Sequence, residues 1–249
     1  MFRLRYLGSK NKIAKEIIPI IQGYITDETT SFIDCFCGGA NIIDKISCKN
    51  KIGYDIHPQL IALLNFAKEH PDDLPERISE VEYNMVKENQ EDYDDWYVGL
   101  VGFCASFGAK YFGGYARNYK GDNSGDWSAS AIKALKQQSQ NFENIEFIQM
   151  DFRDINKDNI KNSVIYCDIP YRNATKYKTP SFPYEEFYDF VRELSENNVV
   201  IVSEYDMPED FEIIWEKEVK TNLDNNISKS SDDRVRTERL FIYKKRKDW

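Results

Sequence analysis

The stretch Val164-Ile165-Tyr166-Cys167-Asp168-Ile169-Pro170-Tyr171 constrains the fold more than any other part of the chain. An apolar, β-branched run of this kind reads as a buried strand. It ends in an acid, and the chain then turns at a proline followed by an aromatic residue. In an open α/β sheet the carboxyl ends of the strands form the rim where ligands bind. Asp168 and Tyr171 are therefore expected together at the edge of a cleft. Pro170 fixes its own φ, donates no N–H and biases Ile169 away from helix. This turn can aim the Ile169 carbonyl into the cleft beside the carboxylate. Two acceptors and a stacking ring suit the exocyclic amino group of a nucleobase.

Elements before this strand set the same architecture. Phe32-Ile33-Asp34 reads as a short strand, followed by the small-residue turn Cys35-Phe36-Cys37-Gly38-Gly39-Ala40 and a helical stretch from about Asn41. Lys51 to Asp55 reads as a second strand ending in an acid. Asp55 lies 17 residues past Gly38, close to the spacing at which an acid accepts hydrogen bonds from a ribose. The G-x-G-x-x-G fingerprint is absent, which disfavours a nicotinamide cofactor and leaves an adenosine-containing one. Ahead of it, Ser9 is a candidate cap for a helix through Ile21, with Ile13, Ile17, Ile20 and Ile21 on one face and Pro19 ending or kinking it. Lys10 falls in the first turn of that expected helix, where the dipole disfavours a cation, a hint that it serves a ligand.

Further on, His57-Pro58 opens a helix to about Glu69, and from about Pro71 to Asn141 the composition shifts. That stretch is acidic and helical to about residue 98. Then Ala109 to Lys120 interleaves aromatics, glycines and the cations Lys110, Arg117 and Lys120, a pattern that suits phosphates and base stacks. Trp127 to Asn141 reads as a helix. Ile145 to Met150 is a strand followed by Asp151 and Phe152. After the Asp168 strand come a loop from Thr175 to Pro183, a helix from Tyr184 to Asn197, and a buried strand at Val199 to Val202. Phe211 to Val219 and Arg239 to Tyr243 are expected to pair as a terminal antiparallel hairpin.

The five cysteines are odd in number and lack any C-x-x-C pair, so neither disulfides nor a zinc site is expected, and the two histidines form no catalytic or metal constellation. The net charge of −9 opposes nucleic-acid binding in bulk, but its distribution does not. The first fifteen residues carry five cations and no acid. Cations also gather at Arg172, Lys176 and Lys178, and from Arg234, Arg236 and Arg239 to the C-terminus. One basic face on an acidic protein is the expectation. No apolar run has membrane-spanning length and no leader is visible, so a cytoplasmic protein, prokaryotic or virus-encoded, without membrane contact is expected.

The ordered set resembles the Dam-like family of DNA adenine methyltransferases, which use S-adenosylmethionine. It comprises Tyr6-Leu7-Gly8-Ser9-Lys10, the Asp34 to Ala40 turn, Asp55, the Phe107 to Arg117 segment, Asp151-Phe152 and Asp168-Ile169-Pro170-Tyr171. The resemblance implies an α/β, Rossmann-like class I methyltransferase sheet with a terminal antiparallel hairpin. It implies a catalytic domain of residues 1–74 and 142–249, with a mainly helical target-recognition subdomain, 75–141, inserted. The implied cofactor is S-adenosylmethionine, with Tyr6, Lys10, Asp34, Gly38, Asp55, Asp151, Phe152 and Asp168 around it. Asp168, Pro170 and Tyr171 are implied to hold a flipped adenine. The implied partner is double-stranded DNA, with Lys110, Arg117, Lys120, Arg172 and Arg236 as contacts on charge and placement. A monomer or weak dimer is expected. Two departures from the family pattern stand out: Ile169 where a proline is usual, and Ala40 where a second glycine often sits.

Rivals separate on single residues. A cytosine-ring methyltransferase needs a cysteine nucleophile, typically after proline, and the chain has no Pro-Cys pair. A cytosine-amine enzyme usually carries serine in place of Asp168. RNA and protein methyltransferases can use a related turn. A DNA-binding relative without catalysis would keep the fold and bind cofactor without turnover.

Overall fold

The computed structural model describes residues 10, 13–117, 127–170, 182–220 and 235–244. Seven strands form one sheet: β1 (Phe32–Asp34), β2 (Lys51–Asp55), β3 (Ile145–Gln149), β4 (Val164–Asp168), β5 (Val199–Glu204), β6 (Phe211–Lys220) and β7 (Val235–Tyr243). Their spatial order is β3-β2-β1-β4-β5-β7-β6. The first five are parallel, and β7 enters antiparallel between β5 and β6. The expected terminal hairpin is therefore present, and its second strand is the one that joins the sheet. Among the described residues six α-helices accompany the strands: α1 (Ala14–Gly23), α2 (Pro58–Glu69), α3 (Glu80–Glu88), α4 (Asp95–Cys104), α5 (Trp127–Ser139) and α6 (Tyr184–Leu194).

Strand alternation divides the core between the two sheet faces. Phe32, Val164, Tyr166, Ile201 and Leu240 share one cluster with Ile17 and Ile21 of α1, Leu60, Leu63 and Leu64 of α2, and buried residues of α3, α4 and α5. Ile33, Ile165, Cys167, Val200, Val202 and Phe241 share the other with Phe187, Tyr188, Phe190, Val191 and Leu194 of α6. The acidic helical stretch thus joins the first core through its apolar face. Contact is closest where α4 crosses α2: a Cβ on Gly99 would lie 2.1 Å from the Gln59 carbonyl oxygen.

Three expectations about local structure are corrected. No α-helix follows the glycine turn. Residues 38–42 continue as turns and only Ile43–Lys45 makes a single 3₁₀ turn. Gly38 and Ala40 take left-handed backbone angles, φ 47° and 57°, and these prevent a helix from starting there. Ala40 adopts the conformation glycine reaches without steric cost, at the position where the family pattern often has glycine. Second, Pro19 lies inside α1 and does not end it. Pro19 and Lys15 are both exposed, so the missing ladder hydrogen bond falls on the solvent side of α1. Third, α1 begins from Ile13 with no side-chain cap, and Ser9 lies outside the described residues.

Candidate active site

Three adjacent parallel strands end in carboxylates: Asp55 on β2, Asp34 on β1 and Asp168 on β4. The parallel register brings these ends to one edge of the sheet, as the sequence predicts. All three are crowded by protein, and each is held differently.

Asp55 is held by backbone. One oxygen accepts the Gly38 N–H at 3.0 Å and the other the His57 N–H at 3.0 Å. The left-handed Gly38 turns its N–H back onto the strand end, which ties the glycine turn to β2. Burial raises the Asp55 pKa, and these N–H donors oppose the rise. His57 does not cap α2 through its side chain. Its ring stands edge-on to Phe103 and Tyr111, burial lowers its pKa, and no described residue hydrogen-bonds its buried Nδ1.

Asp34 is 2% exposed and accepts the Phe36 N–H at 3.3 Å. Burial, and then the charge of Asp168, push its pKa well above the carboxylate range.

Asp168 is held by a side chain from the far end of the sequence. Lys10, itself 7% exposed, places its Nζ 2.7 Å from Asp168 Oδ1 and 3.9 Å from Glu238 Oε2 on β7. Burial raises the Asp168 pKa, the Lys10 ammonium works against that rise, and Glu238 adds to it. The side chain of Asp168 keeps 19% of its surface open. Ile169 is buried and Pro170 exposed. The Pro170 carbonyl accepts the Tyr184 hydroxyl at 2.8 Å, which fastens the turn to the first residue of α6. Tyr6, Tyr171, Arg172 and Lys120, all singled out in the sequence, lie outside the described residues.

The remaining expected residues are placed less uniformly. Asp151 follows β3 at the same edge, but both its oxygens face the Arg153 guanidinium (2.9 and 2.8 Å), which lowers its pKa. Phe152 is 4% exposed and joins the rings of Phe36, Phe182 and Phe187, with centroids 5.5 to 5.9 Å away. Phe36 and Phe182 are half-buried and keep ring surface open beside the β1 turn. Arg117 pairs with Glu80 of α3 through two guanidinium nitrogens, Nε at 3.0 Å. Lys110 is exposed. Arg236 is half-buried, its guanidinium carbon 5.4 Å from the Tyr205 ring centroid. A groove of about 440 Å³ is lined by Glu80, Tyr83, Asn84, Lys87, Phe107, Tyr115 and Arg117, with Phe107 69% exposed.

Two residues at the site gave no signal in sequence. Tyr184 reads only as a helix start, and Glu238 as one acid in a charged strand. All five cysteines are free thiols, and four are buried. Among the described residues no group of three or more His, Cys, Asp or Glu is placed to hold a metal, and no helix is long and apolar enough to cross a membrane.

A parallel sheet carrying carboxylates along one edge, closed by a hairpin whose last strand inserts antiparallel, defines a Rossmann-like class I methyltransferase fold. The chain belongs to the family of D12 class N6 adenine-specific DNA methyltransferases, whose model matches residues 6–100 and 96–231. It is similar to the Type II methyltransferase M.FokI of Planomicrobium okeanokoites, 24% identical over 196 residues. That match covers 69% of this chain and spans 29% of the relative's length. Among solved structures, an rRNA methylase from Streptococcus thermophilus aligns with a TM-score of 0.39 and 8% identity, covering 92% of this chain and 96% of that one.

Proposed function

We propose that this protein transfers a methyl group from S-adenosylmethionine to the exocyclic N6 amine of adenine in double-stranded DNA. The observation that carries the reading is the Asp168 corner: a partly open carboxylate at a strand end, followed by the Ile-Pro turn, in a chain of the N6-adenine family. The cofactor fits the donor set along the rim. Asp55 is fixed by two backbone N–H groups and has lone pairs left for ribose hydroxyls. Gly38 brings backbone close to that carboxylate, and the open faces of Phe36 and Phe182 beside Phe152 offer stacking surface to a purine. Asp34 and Lys10 complete the floor, with Asp151 just past the end of β3, and Tyr6 is assigned to the cofactor from the sequence motif alone.

The cofactor supplies an electrophilic methyl group on a sulfonium. The protein's task is to present a nucleophilic amine, and an aromatic amine is a poor one while its lone pair is conjugated with the ring. Asp168 accepts one amine hydrogen and the Ile169 carbonyl the other, so the lone pair is drawn out of conjugation and aimed. The carboxylate needs only to be ionised. Lys10 favours the ionised form and so works against the burial that disfavours it. After transfer the surplus amine proton leaves toward Asp168. Tyr171 stacks on the base, and the Tyr184 hydroxyl holds the turn that presents it. No covalent enzyme intermediate is required, because positioning and fixed charge lower the barrier.

An adenine inside a duplex is out of reach of this corner, so it flips out at a cost of about a few kcal/mol of unstacking. Residues 75–141 serve target recognition: Phe107 stands exposed beside Lys110 and Arg117, as a segment meeting bases and phosphates requires. Lys120, Arg172 and Arg236 are further candidates for DNA contact on charge and sequence position. A DNA substrate agrees with a cytoplasmic protein of prokaryotic or viral origin, working as a monomer or weak dimer. Incubating the protein with labelled S-adenosylmethionine and, separately, unmethylated duplex DNA, total RNA and protein extract tests the substrate class. Label in DNA alone is expected. Label in RNA or protein, with DNA unlabelled, would overturn the reading.

A further inference from the structure

The hairpin of β6 and β7 reaches past the sheet edge that carries the carboxylates. The pairing of β5 with β7 stops at Glu204 and Arg239. Beyond that pair β7 has only β6 beside it, at Glu238, Thr237, Arg236 and Val235. Arg236 therefore stands three residues outside the last β5 pair, roughly 10 Å along the strand. β7 lies two strands from β4, again about 10 Å across the sheet. Ser203 pairs with Asp168 on one side and Leu240 on the other. By strand alternation Asp168, Ser203, Leu240 and Arg236 share one face. Arg236 is thus placed outward of the Asp168 corner, on its side of the sheet.

The Arg236 guanidinium carbon lies 5.4 Å from the centroid of the Tyr205 ring, and both side chains are half-buried. Tyr205 is the first residue after β5, and its backbone is pinned on both sides. Its N–H donates to Glu204 Oε1 at 2.6 Å, and its carbonyl accepts from Arg239 Nη1. Glu204 is 1% exposed, so the first of these anchors is a buried one. Arginine attracted to an aromatic face still has N–H edges to offer other acceptors. Arg117, Arg153, Arg192 and Arg239 each pair with a carboxylate. Arg77 does not, but it is exposed. Arg236 is half-buried, where a cation without a counter-charge is costly, and no carboxylate among the described residues forms an ion pair with it. A guanidinium held this way at a rim suits an anion that a ligand brings.

We propose that Arg236 binds a backbone phosphate of DNA beside the target nucleotide, and that Tyr205 is the positioning residue that holds it there. The inference rests on the DNA reading above. A base held at Asp168 carries its phosphates outward past the sheet edge, which is where Arg236 stands. The guanidinium fork matches phosphate oxygens two at a time. Tyr205 restricts the arginine before DNA arrives, so less side-chain freedom is lost on binding. Neither the glycine turn nor the Asp-Ile-Pro-Tyr motif gives a role to Tyr205.

Steady-state methylation of unmethylated genomic DNA by the full chain, run at several salt concentrations, tests both assignments. Arg236→Met is expected to raise KM for DNA about 5- to 10-fold near physiological salt, and to flatten the dependence of log KM on log salt by about one charge. Tyr205→Leu is expected to raise KM about 3- to 5-fold, while Tyr205→Phe, which keeps the ring, stays within about 2-fold of wild type. In the Arg236→Met background Tyr205→Leu should cost nothing further, because the group it positions is gone. A merely structural tyrosine would cost the same in both backgrounds, and that result would overturn its assignment. Arg236→Met with KM and salt dependence unchanged, or with calorimetric binding of S-adenosylmethionine weakened in their place, would overturn the phosphate site while leaving the DNA reading intact. Wild-type protein that left DNA unmethylated would overturn both.

Discussion

Asp55 and Asp168 end strands separated only by β1, yet they are held in opposite ways. Asp55 is fastened by the Gly38 and His57 backbone N–H groups, which cannot leave without undoing the glycine turn or the start of α2. Asp168 is held by the Lys10 ammonium, a flexible side chain that a second carboxylate also attracts. A carboxylate fixed by backbone suits a constant task, such as holding ribose hydroxyls. One held by an exchangeable ion pair suits a task in which charge and proton load change. Asp34 lies between them with a single backbone donor among the described residues, the Phe36 N–H, and burial outweighs it.

The contrast can be broken in four places. Asp168→Ala should have the largest effect, lowering kcat for methyl transfer by about 10³-fold or more with cofactor affinity changed far less. Equal losses in kcat and cofactor affinity would erase the distinction between the two corners. Asp55→Ala should raise the Kd for S-adenosylmethionine by about tenfold or more. It should also destabilise the fold by about 1–3 kcal/mol in urea titration, because two donors lose their acceptor. Asp34→Asn keeps an acceptor for Phe36 and removes the penalised charge. A folded-state pKa above the unfolded one means that the stability linked to Asp34 is fully present below the unfolded pKa and fades as pH rises through the folded pKa. Asp34→Asn should therefore be stabilised at neutral pH, on the order of 1–3 kcal/mol, with the gain vanishing in acid. A gain that grew toward low pH would contradict that sign. Arg153→Ala comes last: it breaks an exposed pair with Asp151 at the same edge, and thermal unfolding should not change measurably.

Much of this edge was legible in sequence because it is local. Runs such as Val164 to Asp168 carry their strand character in composition, and the acid at each strand end marks the rim. The misread segment, Asn41 onward, is local too, but its outcome depends on two backbone angles, at Gly38 and Ala40, that residue type leaves open. What escaped entirely was long range. Lys10 and Asp168 lie 158 residues apart and Lys10 and Glu238 lie 228 apart. Only the antiparallel insertion of β7 next to β5 brings Glu238 into reach. Lys10 stood out as a cation in an unfavourable place, and the structure supplies the reason: it precedes α1 and serves the Asp168 corner. Arg117 shows the limit of counting basic residues, since its ion pair with Glu80 crosses 37 positions.

The most direct measurement is the identity of the methylated nucleoside. The protein would be incubated with S-adenosylmethionine and unmethylated duplex DNA. The DNA would then be digested to nucleosides and resolved by chromatography with mass detection. The account predicts N6-methyladenine as the product, and none with Asp168→Ala. Methylated cytosine as the product, or unmodified DNA from protein that binds the cofactor, would contradict it.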